Sequence, residues 1–168
     1  MFASILSSGD VAATERVRGI DPYAVQVGAP GKASCFPAVA DQNAAGAAAT
    51  NEVRRRAGLP PVRPDMQLAQ VAAAHACDMA SRGRMTHLGS STSGPSDRVK
   101  AAGYKPRITA ENIAAGPFTL PRVLQEWNRS QGHLHNILLP QVTDYGVGQA
   151  VGPDGKTVYW AAVYAARR

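Results

Sequence analysis

The stretch YGVGQAVGPDGKTVYWAAVYA, residues 145–165, decides the fold of this chain. Its two halves show the alternation that is typical of β-strands with two different faces. Between them lies GPDG, residues 152–155, whose proline and glycines favour a tight turn. The stretch therefore predicts a β-hairpin near the end of the chain.

The residues before this hairpin have the spacing of helices. Apolar positions recur at helical spacing from Asp65, a good N-cap residue, to about Arg82: Leu68, Val71, Ala72, His75 and Met79. Further helices are predicted over Val39–Gly58, over Pro95–Ala102 and from Thr119 onward. The stretch RITAENIAAG is too short and mixed to be assigned from its period. Because helices precede a terminal hairpin, the fold class is predicted to be α+β, with helices packed on a small antiparallel sheet.

Length and charge limit the classes of function. The chain has 168 residues, enough for one domain with a single core, and a formal net charge of +6 that favours an anionic partner. Its densest basic run, Arg54–Arg56, falls at a predicted helix end, where basic side chains interact favourably with the helix dipole. We therefore do not expect nucleic-acid binding. No apolar run approaches the roughly 18–20 residues that span a bilayer, and we expect a monomer without a transmembrane segment.

The amino-terminal part differs from the rest. The stretch DPYAVQVGAPGKASCFP, residues 21–37, is rich in glycine and proline and predicts an irregular arm over residues 1–38, followed by a domain over residues 39–168. The chain starts without the basic and long apolar regions of a signal peptide. Its two cysteines, Cys35 and Cys77, form no CxxC pair. The residues alone leave two options for them, one disulfide or two buried free thiols.

Six motifs then follow one another along the chain: NEVRRRAGLPPV, AAAHACDMASRGRMTHLG, DRVKAAGY, AENIAAG, EWNRSQGHLHNIL and YGVGQAV with YWAAVYA. In this order they resemble bacterial CAP domains, the SCP-like extracellular members of the superfamily of cysteine-rich secretory proteins, antigen 5 and pathogenesis-related 1 proteins. The resemblance covers about residues 43–164. It implies an α-β-α sandwich and a secreted or periplasmic location, which favours a Cys35–Cys77 disulfide.

The resemblance also implies a ligand-binding cleft lined by His87, Glu111, His133, Ser130 and Asn112. Ser130 stands where eukaryotic members have a second glutamate, so only one carboxylate of the family pair is present. Gly132 is expected to form the turn that directs His133 into the cleft, whereas His135 falls on a variable position and is expected at the surface. The inward-facing His75 is interpreted as a hydrogen-bonded core residue.

Two imidazoles and one carboxylate allow three interpretations. His87 and His133 could bind a divalent cation such as zinc, or the histidines and Glu111 could transfer protons, or the three could form a structural network. The HExxH and GxSxG motifs of zinc proteases and serine hydrolases are absent. His87, Glu111 and His133 are therefore candidate catalytic residues, with enzymatic activity and any cofactor left open.

Three functions follow from these interpretations. The first is an exported protein whose cleft binds a lipid, an anionic glycan or a peptide at the cell envelope. The second is a metal-assisted hydrolase that uses the same cleft. The third is an interaction protein with an inert cleft, in which changes to the cleft residues alter stability only.

Overall fold

The computed structural model describes residues 20–168, and the first 19 residues of the predicted arm lie outside the described residues. In chain order the elements are β1 (Val25–Gln26), β2 (Ser34–Cys35), α1 (Ala40–Arg56), β3 (Arg63–Pro64), α2 (Met66–Arg82), β4 (Arg84–Met85), α3 (Pro95–Ala101), β5 (Pro106–Gly116), α4 (Leu120–Arg129), α5 (Gln131–Ile137), β6 (Asp144–Val151) and β7 (Val158–Arg167).

The predicted hairpin forms the centre of the main sheet. Strands β6 and β7 pair antiparallel, β5 pairs with the other side of β7, and β2 and β3 pair with the outer side of β6. The hairpin prediction is thus confirmed, and the unassigned stretch of residues 107–116 belongs to β5. Because β3 runs parallel to β6, the sheet is mixed rather than purely antiparallel.

The core has two parts, one on each face of this sheet. Ala161 and Val163 of β7 pack with α2 and α3, while Trp160 and Ala162 pack with α1, α4 and α5. Successive residues of a strand point to opposite faces, so β7 is covered by helices on both sides. The architecture is an α-β-α sandwich, and the predicted fold class is confirmed.

Helix α2 lies against the hairpin with no space for side chains at two glycines of β6. It begins as predicted, because an Asp65 carboxylate oxygen accepts a hydrogen bond from the Leu68 backbone amide at 2.9 Å, and it ends at Gly83 with φ of 61°. A Cβ atom at Gly148 would overlap the backbone of Ala73 in α2. The glycines of YGVGQAV thus let the helix approach the sheet, and a side chain there would push the two layers apart.

Arg54 corrects one interpretation of the sequence. Arg55 and Arg56 are exposed in the last turn of α1, as expected for residues that favour the helix dipole. Arg54 is instead completely buried, with its guanidinium bonded to the backbone carbonyls of four residues: Pro60, Ile137, Leu139 and Val142. It is therefore a core residue that joins the segments after α1 and α5.

The arm contains little regular structure within the described residues. Its two short strands attach it to β4 and to β6. A disulfide joins Cys35 in β2 to the partly buried Cys77 in α2, with the two Cα atoms 5.2 Å apart, so the predicted pairing is confirmed. The division at residue 38 stays a prediction. No helix within residues 20–168 has the length and apolar character needed to cross a membrane.

Candidate functional site

A cavity of about 640 Å³ lies where the arm, β5 and α5 meet. Strand β5 contributes Glu111 and Ile113, the segment from β4 contributes Met85 and His87, and the rest of the wall comes from the arm and from the start of α5. Its lining residues are Pro22, Tyr23, Val25, Met85, His87, Glu111, Ile113, Ser130, Gly132, His133 and Asn136. The structure thus brings together four of the five cleft residues expected from the sequence.

Glu111 is buried at the base of this cavity with both carboxylate oxygens bonded. Oε1 lies 2.9 Å from Nδ1 of His87, and Oε2 lies 2.6 Å from the guanidinium of Arg98. Burial alone would raise the pKa of Glu111, but the hydrogen bond from His87 and the charge and hydrogen bond of the Arg98 guanidinium hold it below its usual value. The ionised carboxylate accepts a hydrogen bond from the Nδ1–H of His87, and in the neutral ring this leaves Nε2 as a hydrogen-bond acceptor.

His75 supports the same carboxylate from the core side. Its Nε2 lies 2.9 Å from the carbonyl oxygen of Thr86, so Nε2 carries the proton. The same atom lies 3.7 Å from Glu111 Oε1. Burial lowers the pKa of His75, which keeps the ring neutral at pH 7. The interpretation of His75 as a hydrogen-bonded core residue is confirmed, although the sequence did not place it beside Glu111.

Helix α5 positions His133 differently from the expectation. Ser130 has an extended backbone (φ −92°, ψ 121°) and separates α4 from α5, while Gly132 lies inside the first turn of α5. The predicted turn at Gly132 is therefore wrong, and the change of direction occurs at Ser130. His133 is half-buried at the cavity, and burial lowers its pKa. His135 is exposed, as expected.

Asn112 lies behind the cavity wall rather than in it. It is fully buried, and its Nδ2 donates to the carbonyl of His133 at 3.1 Å. Asn136, which does line the cavity, donates to Asn112 Oδ1 at 2.9 Å and to the carbonyl of Glu111 at 3.2 Å. These two amides connect α5 to β5, so they fix His133 relative to Glu111.

Sequence reasoning missed Arg98 and Asp21. Arg98 lies in the motif DRVKAAGY, but no spacing rule connects it to Glu111, which its guanidinium neutralises. Asp21 lies in the arm, and its carboxylate accepts hydrogen bonds from the Thr86 hydroxyl and the His87 backbone amide, both at 2.7 Å. Arg98 looks like an ordinary basic residue of a short helix that also contains a lysine. Asp21 lies in an arm without periodicity, so no local pattern indicated either contact.

Comparison with known proteins shows the family of this chain. Residues 47–164 match the model of the CAP family, the cysteine-rich secretory protein family. The chain belongs to this CAP family. It is 36% identical over 99 residues to the uncharacterized protein YkwD of Bacillus subtilis (strain 168), a match that covers 59% of this chain and 38% of YkwD. It is 29% identical over 99 residues to the uncharacterized membrane protein YlbC of the same strain, covering 59% of this chain and 29% of YlbC.

Two solved structures share the CAP architecture. An extracellular protein of Bacillus anthracis that contains an SCP domain is 29% identical, with a TM-score of 0.67 over 76% of this chain and 41% of its own. An outer surface protein of Borrelia burgdorferi is 20% identical, with a TM-score of 0.68 over 76% of this chain and 94% of its own. The second likeness bears on the fold alone. This chain spans less than half the length of the YkwD and YlbC proteins.

The donor set of this CAP cavity does not fit a catalytic zinc centre. Such centres use three protein ligands and one open position. Both oxygens of Glu111 are already bonded, one of them to a guanidinium, which leaves only the imidazoles of His87 and His133. No group of three or more His, Cys, Asp and Glu residues that could hold a metal occurs within residues 20–168. Two imidazoles alone would hold a divalent cation weakly.

Weak zinc binding is therefore expected to depend strongly on pH. Protons compete with the metal for imidazole nitrogen, so the heat of calorimetric titration with zinc should be at least about tenfold smaller at pH 5 than at pH 7.5. The double variant His87→Ala, His133→Ala should lose the signal, and His135→Ala, on the exposed side of α5, should keep it. Unchanged binding in the double variant would place the metal elsewhere, with the exposed His135 as the next candidate.

Proposed function

We propose that this chain is an exported CAP-domain protein whose cavity binds a lipid, a glycan or a peptide at the cell envelope. The observation that carries the proposal is the mixed wall of the cavity. Pro22, Tyr23, Val25, Met85 and Ile113 supply apolar surface beside His87, Ser130, His133 and Asn136. Ligand sites combine such apolar walls with a few polar groups that orient the ligand.

The charge state of the cavity also supports binding. Arg98 neutralises Glu111, and burial favours the neutral form of His133. The polar groups next to the cavity thus offer hydrogen bonds rather than a strong net charge. An anionic ligand would be attracted by the net charge of +6 of the whole chain.

Export is supported by two observations. The Cys35–Cys77 disulfide is typical of oxidising compartments outside the cytoplasm. The Bacillus anthracis relative with an SCP domain is an extracellular protein. We infer the same kind of location for this chain.

A hydrolase is the second candidate, on one specific observation. The Glu111–His87 contact at 2.9 Å has the form of an orienting carboxylate and a general base, with Nε2 of His87 available to take a proton. No step through a metal is derived, because the third protein ligand is lacking.

The test is a titration of the isotope-labelled protein with chitotriose, dihexanoylphosphatidylglycerol and acetyl-Ala-Tyr-Ala amide, followed by NMR. We expect at least one of them to shift the amide signals of cavity residues such as Ile113, Gly132 and Asn136. His133→Ala should weaken that binding about three- to tenfold, the effect of one or two lost polar contacts. The control His135→Ala, two residues along the same helix, should change it less than twofold.

Two outcomes would count against the proposal. If none of the three compounds shifts cavity signals while His133→Ala changes only the free energy of unfolding, the cleft is inert. If a compound is cleaved and cleavage stops in His87→Gln, the protein is a hydrolase rather than a binding protein.

A further inference from the structure

One wall of the cavity comes from outside the matched CAP domain. Pro22, Tyr23 and Val25 line the cavity, whereas the family match begins at residue 47. The arm is therefore more than a connection to the domain, since part of it forms the surface that a bound molecule would contact.

Asp21 fastens this wall directly to the segment that bears His87. One carboxylate oxygen accepts hydrogen bonds from the Thr86 hydroxyl and the His87 amide, and the other accepts from the Tyr23 amide at 3.0 Å. The carbonyl of Thr86 in turn holds His75. The position of the arm is thus coupled through one residue pair to the histidines around Glu111.

A second set of contacts holds the arm just after the wall. Val25 and Gln26 pair with β4, the backbone amide of Val27 donates to the carbonyl of Gly83 at 2.8 Å, and the side chain of Gln26 donates to the same carbonyl at 3.0 Å. Because both ends of the segment are bonded, the wall is already ordered before any ligand binds. Pre-ordered contact surfaces lose less entropy on binding.

The side chains of Tyr23 and Val25 in this wall are not packed in the hydrophobic core. Tyr23 is 75% exposed and Val25 is 49% exposed, although each also lines the cavity. The arm is held by polar and backbone bonds rather than by burial of these residues. Large apolar side chains exposed beside a cavity with both apolar and polar walls indicate a surface for contact with another molecule.

We propose that the segment Asp21–Val25 is the ligand-selecting wall of the cavity, with Tyr23 as a specificity-determining residue and Asp21 as a positioning residue. The proposal rests on the binding function proposed above. The planar ring of Tyr23 favours a ligand that carries a ring with one apolar face and a hydrogen-bonding edge. The apolar face packs on Tyr23, and the edge bonds to the His87 and Ser130 side of the same cavity. A flexible chain gains less binding free energy by packing against the flat ring of Tyr23 than a planar or cyclic ligand does.

The experiment compares phenyl β-D-glucoside, a small ring-bearing probe, with decanoate, a flexible one, by NMR titration of the full chain with its disulfide intact. Tyr23→Ala should weaken binding of phenyl β-D-glucoside about tenfold, and Tyr23→Phe, which keeps the ring, less than twofold. Phe36→Ala is the matched control, since Phe36 is an exposed aromatic residue of the arm outside the cavity lining, and it should have no effect.

Asp21→Ala should weaken binding of phenyl β-D-glucoside as much as Tyr23→Ala does. It should also speed hydrogen exchange of the His87 amide, which donates to Asp21, whereas Tyr23→Ala should leave that exchange unchanged. Asp21→Asn keeps one acceptor oxygen and should restore part of both effects.

The outcomes separate this inference from the proposed function. Cavity binding that is equally tight in Tyr23→Ala, or decanoate bound in preference to phenyl β-D-glucoside, would overturn the ring-selecting wall and leave the binding function standing. If neither probe and none of the three compounds above binds in the cavity, both the ring-selecting wall and the proposed binding function are wrong.

Discussion

Arg54→Met is expected to lower the free energy of unfolding by about 3–5 kcal/mol, because it leaves several buried backbone carbonyls without a hydrogen-bond donor. The Arg54 guanidinium is completely buried and donates to the carbonyls of Pro60, Ile137 and Leu139 at 2.8 Å each, and to that of Val142 at 3.4 Å. Methionine fills much of the space but donates no hydrogen bond. Each carbonyl left without a partner costs roughly 1–3 kcal/mol unless water reaches it.

Arg54 has no counter-ion among the described residues, so its charge depends on the carbonyl groups around it. No carboxylate lies within ion-pair distance of Arg54 in the part of the chain that the structure describes, residues 20–168. Burial lowers the pKa of the guanidinium, but arginine stays charged at any ordinary pH. Carbonyl dipoles alone therefore compensate the charge, and their geometry suits a planar group with five donors. Arg54→Lys should rescue only part of the loss, because one ammonium cannot reach all four carbonyls.

Arg55→Met is the matched control, made in the same helix turn. The Arg55 side chain is 72% exposed and pairs with Glu52 at 2.8 Å, an arrangement worth at most about 0.5 kcal/mol. Urea unfolding of the two variants measures the difference. A loss below about 1 kcal/mol for Arg54→Met would mean that water or side chains replace the guanidinium, and the central role given to Arg54 would be wrong.

The parts of the fold that could be predicted rest on local signals. The start of α2 is set by the hydrogen bond between Asp65 and Leu68, which lie three residues apart. The hairpin turn depends on Asp154, whose carboxylate accepts from the backbone amides of Lys156 and Thr157. Both signals are complete within a few residues, so the sequence displays them directly.

The parts that could not be predicted rest on partners far apart in the chain. Arg54 bonds to carbonyls 83 to 88 residues away, and next to Arg55 and Arg56 it looks like one more basic residue at a helix end. Asp21 is 65 residues from Thr86, in an arm without periodicity. Such contacts exist only once the layers have packed, and no local pattern records them.

The candidate site could be predicted from the sequence only in part. The order of family motifs pointed to His87, Glu111 and His133, and the structure places all three at one cavity. The motifs did not show that Arg98 neutralises Glu111. They also placed the turn at Gly132, since a glycine beside a histidine suggests a bend, whereas the extended backbone of Ser130 makes the change of direction.

Removal of the Cys35–Cys77 disulfide is expected to lower the free energy of unfolding by about 4 kcal/mol. The two cysteines are 42 residues apart, and closing a loop of that length removes roughly this much conformational entropy from the unfolded chain. For a chain of 168 residues, the midpoint of thermal unfolding should fall by about 8–16 °C.

This loss should come from the unfolded state rather than from packing. Cys35 is exposed, and Cys77 is only partly buried where it packs against the core, so neither residue fills a central core position. The variant Cys35→Ala, Cys77→Ala and the reduced wild-type protein should therefore unfold at free energies within about 1 kcal/mol of each other, both well below the oxidised protein. Mass spectrometry of the alkylated, non-reduced protein confirms the starting state. If the reduced protein is as stable as the oxidised one, the hydrogen bonds of Asp21 and Gln26 and the pairing of β2 with β6 hold the arm without the disulfide, and loop closure contributes nothing to the stability of this chain.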